Sequence, residues 1–179
     1  MNYSLYAHRG NLFGPKPELE NTPDYIDDAI KFGFKVEVDV WLNPDGNLYL
    51  GHDKPEHLVT FEYLFIRHDA LLIHAKNVEA LIYLSSRTRL NVFYHTDEHA
   101  VISSNGNLIF HPDHYPEAVT PIDAIYSMPE LSKTMLYPYK NVISDYAGTL
   151  HSFYNSRSES DRKLLPEILR YNIAAKYND

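Results

Sequence analysis

The chain has 179 residues, 44% hydrophobic and 22% charged, enough apolar material to bury the core of one domain. Its 16 basic and 24 acidic residues leave a formal charge of −8, which argues against a general nucleic-acid binder. There is no cysteine, so disulfide scaffolds, thiolate zinc sites, iron–sulfur clusters and cysteine nucleophiles are excluded.

Met1 to Tyr6 has neither the basic segment nor the long apolar run of a signal peptide, and no apolar stretch approaches the roughly 18 residues of a membrane span. The expectation is a soluble, cytoplasmic protein with a single domain over residues 1–179. Tyr3 to Ala7 reads as a strand running into His8-Arg9-Gly10, and Gly14, Pro15 and Pro17 then mark a loop. Thr22 is a good N-cap and Pro23 suits the first helical position. The helix continues with Tyr25, Ile26, Ala29 and Ile30 on one face and stops at Gly33. From Lys35 to Leu42 the residues alternate: Glu37, Asp39 and Trp41 share one face, Val36, Val38 and Val40 the other.

A turn over Asn43 to Asn47 returns through Leu48 to Leu50 into Gly51-His52-Asp53. A short helical stretch around Phe61 to Phe65 precedes a strand from Ala70 to Ile73, which ends in His74-Ala75-Lys76-Asn77. A helix over Val78 to Ser85 leads to a strand over Asn91 to Tyr94, ending in His95-Thr96-Asp97. Val101 to Phe110 forms a hairpin about Asn105-Gly106. Strands at Ile122 to Tyr126 and Asn141 to Ile143 lead to Glu130 and Asp145, and a last helix spans 158–179.

Such alternation implies parallel strands and an α/β fold. Ionisable residues gather where strands end, which in a β/α barrel is the catalytic face. A full barrel takes about 200 residues or more. The expected fold is therefore a compact, reduced TIM-type (β/α) barrel with short or missing helices.

Five short pieces carry the chemistry, in this order: His8-Arg9-Gly10, Glu20-Asn21-Thr22, Glu37-Val38-Asp39, Asp45-Gly46 and Gly51-His52-Asp53. Glu37 and Asp39 stand two apart on a strand, so both carboxylates enter one site. Buried together they repel unless a cation joins them, and hard oxygen ligands suit Mg²⁺ or Ca²⁺. His8 and His52 follow strands and titrate near neutrality, as an acid–base pair requires. Arg9 offers a planar fork to phosphate oxygens and also suits an ion pair with Glu20 or Glu37. Trp41 shares the carboxylates' face, either lining a pocket for substrate or packing.

This succession of motifs resembles the glycerophosphodiester phosphodiesterase family, within the wider phospholipase-C-like phosphodiesterases, over roughly residues 3 to 55. The resemblance implies a divalent metal held by Glu37 and Asp39, with His8 and His52 as acid and base. A neighbouring substrate hydroxyl attacks phosphorus, and water then opens the cyclic phosphate. The resemblance also implies that Glu20 orients the ligand shell and that Asp145 is the final-strand aspartate at the mouth of the barrel.

The chain departs from the family in two places. The family's third metal carboxylate sits in a Glu-x-Lys pattern; here His74-Ala75-Lys76 puts an imidazole in its place. Either that substitution moves the metal preference from Mg²⁺ or Ca²⁺ toward Zn²⁺, Mn²⁺ or Fe²⁺, or His74 is no ligand and hydrogen-bonds near the site, while Lys76 is kept for a phosphate oxygen. Only about 18 residues, Asp53 to Ala70, follow His52 before the next strand, without the family's covering insertion. An open site suited to a larger diester, such as a sugar phosphate or a polymer end, is implied.

His95 and Asp97 repeat the two-residue spacing, either extending the site toward substrate or forming a pair. His57, His68, His99, His111, His114 and His151 read as surface residues. The expected function is a metal-dependent phosphodiester hydrolase acting on a small-molecule or sugar-linked diester. The alternative is a phosphoryl-ligand binding protein on the same barrel without turnover, suggested by the replacement at His74. A different metallohydrolase ranks third, because such barrels often carry His-x-His where this chain has His8-Arg9-Gly10.

Overall fold

The computed structural model describes residues 3–87, 89–112, 114, 124–131 and 141–155. The helix expected over 158–179 lies outside the described residues. The elements are β1 (Ser4–His8), α1 (Pro23–Lys31), β2 (Lys35–Leu42), β3 (Leu48–Leu50), β4 (His57–Val59), α2 (Phe61–Phe65), β5 (Leu71–Ala75) and α3 (Val78–Ser85). They continue with β6 (Val92–Phe93), β7 (Ala100–Ile102), β8 (Leu108–Phe110), β9 (Ile125–Ser127), a 3₁₀ turn (Pro129–Leu131), β10 (Asn141–Ser144) and α4 (Ala147–Tyr154). Three helices start on a side-chain cap. Thr22 accepts from Tyr25 N, Thr60 from Tyr63 N and Asn77 from Ala80 N, each satisfying a backbone N–H that the first turn leaves open.

Across the sheet the order is β6, β5, β2, β1, β10, β9, β8, all parallel, with β7 antiparallel at the end. β1 covers only Lys35 to Glu37 of the longer β2, so that edge is free again at Val40 to Leu42. There β3 pairs antiparallel, and β4 pairs with β3. β4, which the sequence reading did not assign, is the strand that finishes this side hairpin.

Alternation along the strands separates two cores. Tyr6, Leu72, Phe93, Ile109, Ile125 and Ile143, from six different strands, form one buried cluster. Among the described residues no helix contributes to it. A flat sheet would leave that face in water, so the sheet curls until the face meets itself. The opposite face carries the valines of β2, against Ile26 and Ala29 of α1, Ala80 and Leu84 of α3 and Ala147 and Leu150 of α4.

The two ends of the curl meet at the β7–β8 turn, where Asn91 Nδ2 donates to Asn107 Oδ1 at 3.0 Å. Ser104, in the β7–β8 turn, donates its N–H to Val92 O at 2.7 Å, and its Oγ accepts from Val92 N at 2.9 Å. That Oγ also donates to Leu90 O at 2.9 Å. The result is a mixed α/β fold whose sheet is curled and whose helices are few. Among the described residues no helix is long and apolar enough to cross a membrane.

Candidate functional site

Register places the ionisable residues. His8 stands beside Glu37, and Asp39 beside His74, on three adjacent strands. Tyr6 and Leu72 belong to the inner apolar cluster, so period two puts His8 and His74 on the same concave face one step further along.

Glu37, Asp39 and His74 are all buried, and one ligand atom from each lies within 4.8 Å of the others. Asp39 is the most heavily contacted. Its Oδ2 accepts from Asn21 Nδ2 at 2.9 Å and lies 3.1 Å from Arg9 Nε; its Oδ1 lies 3.0 Å from His74 Nδ1 and 3.4 Å from Lys76 Nζ. Burial opposes its charge, but His74, Lys76 and Arg9 outweigh that and hold its carboxyl below the ordinary range. Glu37 is the reverse case: burial first, then the charge of Asp39, push it up to about 7. Its Oε2 is buried without a hydrogen-bond partner. An orphaned carboxylate oxygen beside a second carboxylate and an imidazole is a donor set that fits a divalent cation. Burial holds His74 below its ordinary value despite Asp39, which keeps it in the ligating neutral form.

On the other side of Glu37, His8 Nδ1 lies 2.7 Å from Asp145 Oδ1, and His8 Nε2 lies 3.9 Å from Glu37 Oε2. Burial would depress the His8 imidazole; the Asp145 hydrogen bond and the charge of Glu37 raise it instead. Two amides that sequence reasoning gave no role hold this arrangement. Asn11 Nδ2 donates to both Asp145 Oδ1 and Glu20 Oε1 at 2.8 Å, and Glu20 Oε2 in turn accepts from Arg9 Nη1 at 3.0 Å. Asn21 holds Asp39 from both ends, since its Oδ1 also accepts from Asp39 N at 3.1 Å. Arg9 pairs with Glu20 as expected, and its second partner is Asp39 rather than Glu37.

His52 reaches the same region from the side hairpin. A side chain at Gly51 would collide with the Lys54 carbonyl, and the backbone there has φ 145°, so only glycine makes this bend. Trp41 Nε1 donates to Gly51 O at 2.7 Å, which ties the bend to β2. Trp41 thus positions the His52 loop. His52 Nδ1 lies 2.7 Å from Asp53 Oδ1, but the Asp53 side chain is 90% exposed, so this pair is weak and the backbone tie matters more.

A cleft of about 720 Å³ brings His8, Arg9, Glu20, Asn21, His52 and Asp145 together, with Pro15, Pro17, Met128, Leu131 and Tyr146 as its apolar wall. That is the size of a small-molecule site. Glu37, Asp39, His74, Lys76, Trp41 and His95 are not in its wall; His8 and Arg9 line it and touch the carboxylates.

His95 stacks on His74 with ring centres 4.6 Å apart and planes 14° from parallel. Stacked rings cannot both aim a nitrogen in-plane at one ion, so His95 supports the His74 ring and is not a fellow ligand. Asp97 is exposed and makes no ion pair with His95 among the described residues, so the expected His95–Asp97 pair does not form. His111, expected at the surface, is half-buried beside His95 with Nε2 enclosed. Burial, then His95, drive it down to about 4.

Glu130 also lines the cleft, and nothing in its sequence context marked it. It is 5% exposed; its Oε1 accepts from Ser144 Oγ at 2.8 Å and from Asp145 N at 2.9 Å. Burial pushes it up to about 7. No protein-family model matches the chain, and no curated protein matches it.

Proposed function

We propose that this chain is a divalent-metal-dependent phosphodiester hydrolase of the glycerophosphodiester phosphodiesterase type, built on a TIM-type barrel reduced to few helices. The observation that carries the reading is that His8 and His52 line one cleft, His8 with the shielded Asp145 Oδ1 2.7 Å from its Nδ1 and His52 on the bend tied to Trp41. With the Nδ1 proton given to Asp145 or Asp53, both Nε2 atoms are left for substrate. One takes the proton of the attacking hydroxyl as the new P–O bond forms. The other protonates the departing alkoxide, and the reverse transfers accompany opening of the cyclic phosphate by water. Arg9 keeps one edge for a phosphate oxygen, because Nε and Nη1 face Asp39 and Glu20.

Glu37, Asp39 and His74 would hold the metal, and a bound cation supplies positive charge to phosphoryl oxygens. Two carboxylates with one imidazole favour Mn²⁺ or Zn²⁺ over Mg²⁺ or Ca²⁺. The test is hydrolysis of glycerophosphodiesters and sugar phosphodiesters after EDTA treatment, with each metal restored in turn, beside His8→Ala and His52→Ala. Metal-restored turnover that disappears in both variants is expected; unchanged turnover in both variants overturns the mechanism.

A second reading, a phosphoryl-ligand binder without turnover, draws support from Asp39, whose charge is already answered by Arg9, His74 and Lys76. It predicts that phosphorylated ligands raise the melting temperature and are recovered intact.

A further inference from the structure

At the opposite end of the curled sheet, where β2, β5 and β6 begin, lies a second hollow of about 240 Å³. Tyr6 lines it from the inner apolar cluster and is 6% exposed. Its hydroxyl has no hydrogen-bond partner among the described residues. A tyrosine buried to that extent ordinarily bonds its O–H; among the described residues this one meets only the hollow, where a ligand or water can accept from it.

Lys35 and Arg89 line the same hollow, and neither forms an ion pair among the described residues. Lys35 Nζ stands 5.4 Å from the centre of the Tyr6 ring. The Arg89 guanidinium also lies 5.9 Å from the Phe65 ring, and both cations are exposed; in a chain of formal charge −8, two such cations lining one polar hollow favour an anion there. Asn105 and Asn107 add side-chain N–H groups that make no hydrogen bond among the described residues. The one carboxylate in the wall, Asp69, is 93% exposed and turned to His68 Nε2 at 3.2 Å.

We infer that this hollow binds a small tetrahedral oxyanion, inorganic phosphate or the terminal phosphate of a monoester. The volume is below the roughly 300–1,000 Å³ of sites for whole cofactors or drug-sized ligands, so a single anionic group is the occupant rather than a nucleotide. Tyr6 on β1, Lys35 at the start of β2 and Arg89 before β6 bring donors from three segments to one hollow, which suits an ion with several acceptor oxygens. The site is separate from the cleft of His8 and His52, and it stands whether or not the chain turns over diesters.

The test is a ¹⁵N NMR titration of the whole chain with inorganic phosphate, and separately with glycerol phosphate, at constant ionic strength against chloride. Saturable shifts of the Asn105 and Asn107 side-chain amides and of Lys35 are expected, with no response to chloride. The Lys35→Ala/Arg89→Ala double variant is expected to weaken binding at least about tenfold, and Tyr6→Phe several-fold, since charge-assisted contacts dominate such sites. His52→Ala is expected to leave these shifts unchanged. Saturation by phosphate alone identifies the free ion, and saturation by both ligands identifies a terminal phosphate group. Equal shifts with chloride, unaltered affinity in the double variant, or shifts confined to His8 and His52 would overturn the inference.

Discussion

His8 on β1 and Asp145 just past β10 face each other across adjacent parallel strands, with Nδ1 and Oδ1 2.7 Å apart. Asp145 is also fixed at its backbone by Glu130 and at its carboxylate by Asn11, so it cannot follow His8 if the ring turns.

Asp145→Asn keeps the shape of this contact, since Asn11 Nδ2 also donates to Oδ1 and holds the amide oxygen there, but it removes the negative charge that balances a protonated His8. Turnover of a phosphodiester is expected to fall by about 10³–10⁴, with KM nearly unchanged and the circular dichroism spectrum retained. Stopped-assay kinetics of wild type and variant decide it; a drop under tenfold removes His8 from the role of base.

Glu130 gives a pH signature. Its pKa is raised from 4.5 to about 7 in the folded protein. Between those values the folded state keeps a proton that the unfolded chain has released, so stability falls as pH rises, by about 3 kcal/mol over the window. Glu130→Gln lacks this slope. In urea unfolding at pH 5 and pH 8, the variant is expected to gain about 2–3 kcal/mol on wild type between the two. A constant difference would mean that Glu130 is ionised in the fold.

Glu37→Gln separates stability from metal binding. The metal-free variant is expected to be the more stable protein above pH 7, because the folded state no longer holds a buried carboxylate beside Asp39. Wild type treated with EDTA is expected to gain about 2.7 kcal/mol from Mn²⁺ at a hundred times its Kd, and the variant much less. His74→Glu is expected to shift the preference toward Mg²⁺ and Ca²⁺. Thermal melts with each ion read all three.

Asn21 sits at φ 59° and makes two hydrogen bonds to Asp39. Asn21→Ala removes both and leaves a side chain in the left-handed region, so a loss of about 2–4 kcal/mol is expected. Asn21→Gly loses the bonds but not the backbone fit and is expected to recover about 1 kcal/mol of that. Equal losses would show that backbone conformation plays no part.

What could be read from the sequence depended on distance along the chain. The shared face of Glu37 and Asp39 follows from strand periodicity alone, and the cap at Thr22 from its neighbours. Asn11 and Glu130 were not legible, because their partners lie 134 and 15 residues away and only the pairing of β10 with β1 and β9 brings them together. Trp41 was read from its face alone. Its hydrogen bond to Gly51 depends on the side hairpin, which forms because β2 is longer than β1. Spacing puts His95 after β6 but says nothing about ring planes, and the planes decide that it stacks on His74.

The joint at the β7–β8 turn differs from the rest of the sheet. Elsewhere around the curl, neighbouring strands share ladders of two to five residue pairs, whereas here Ser104 and the Asn91–Asn107 hydrogen bond join the two ends. The closure is therefore written in the side chains of one turn, while the strands carrying His8, Glu37 and Asp39 are joined by backbone ladders that any side chain can support.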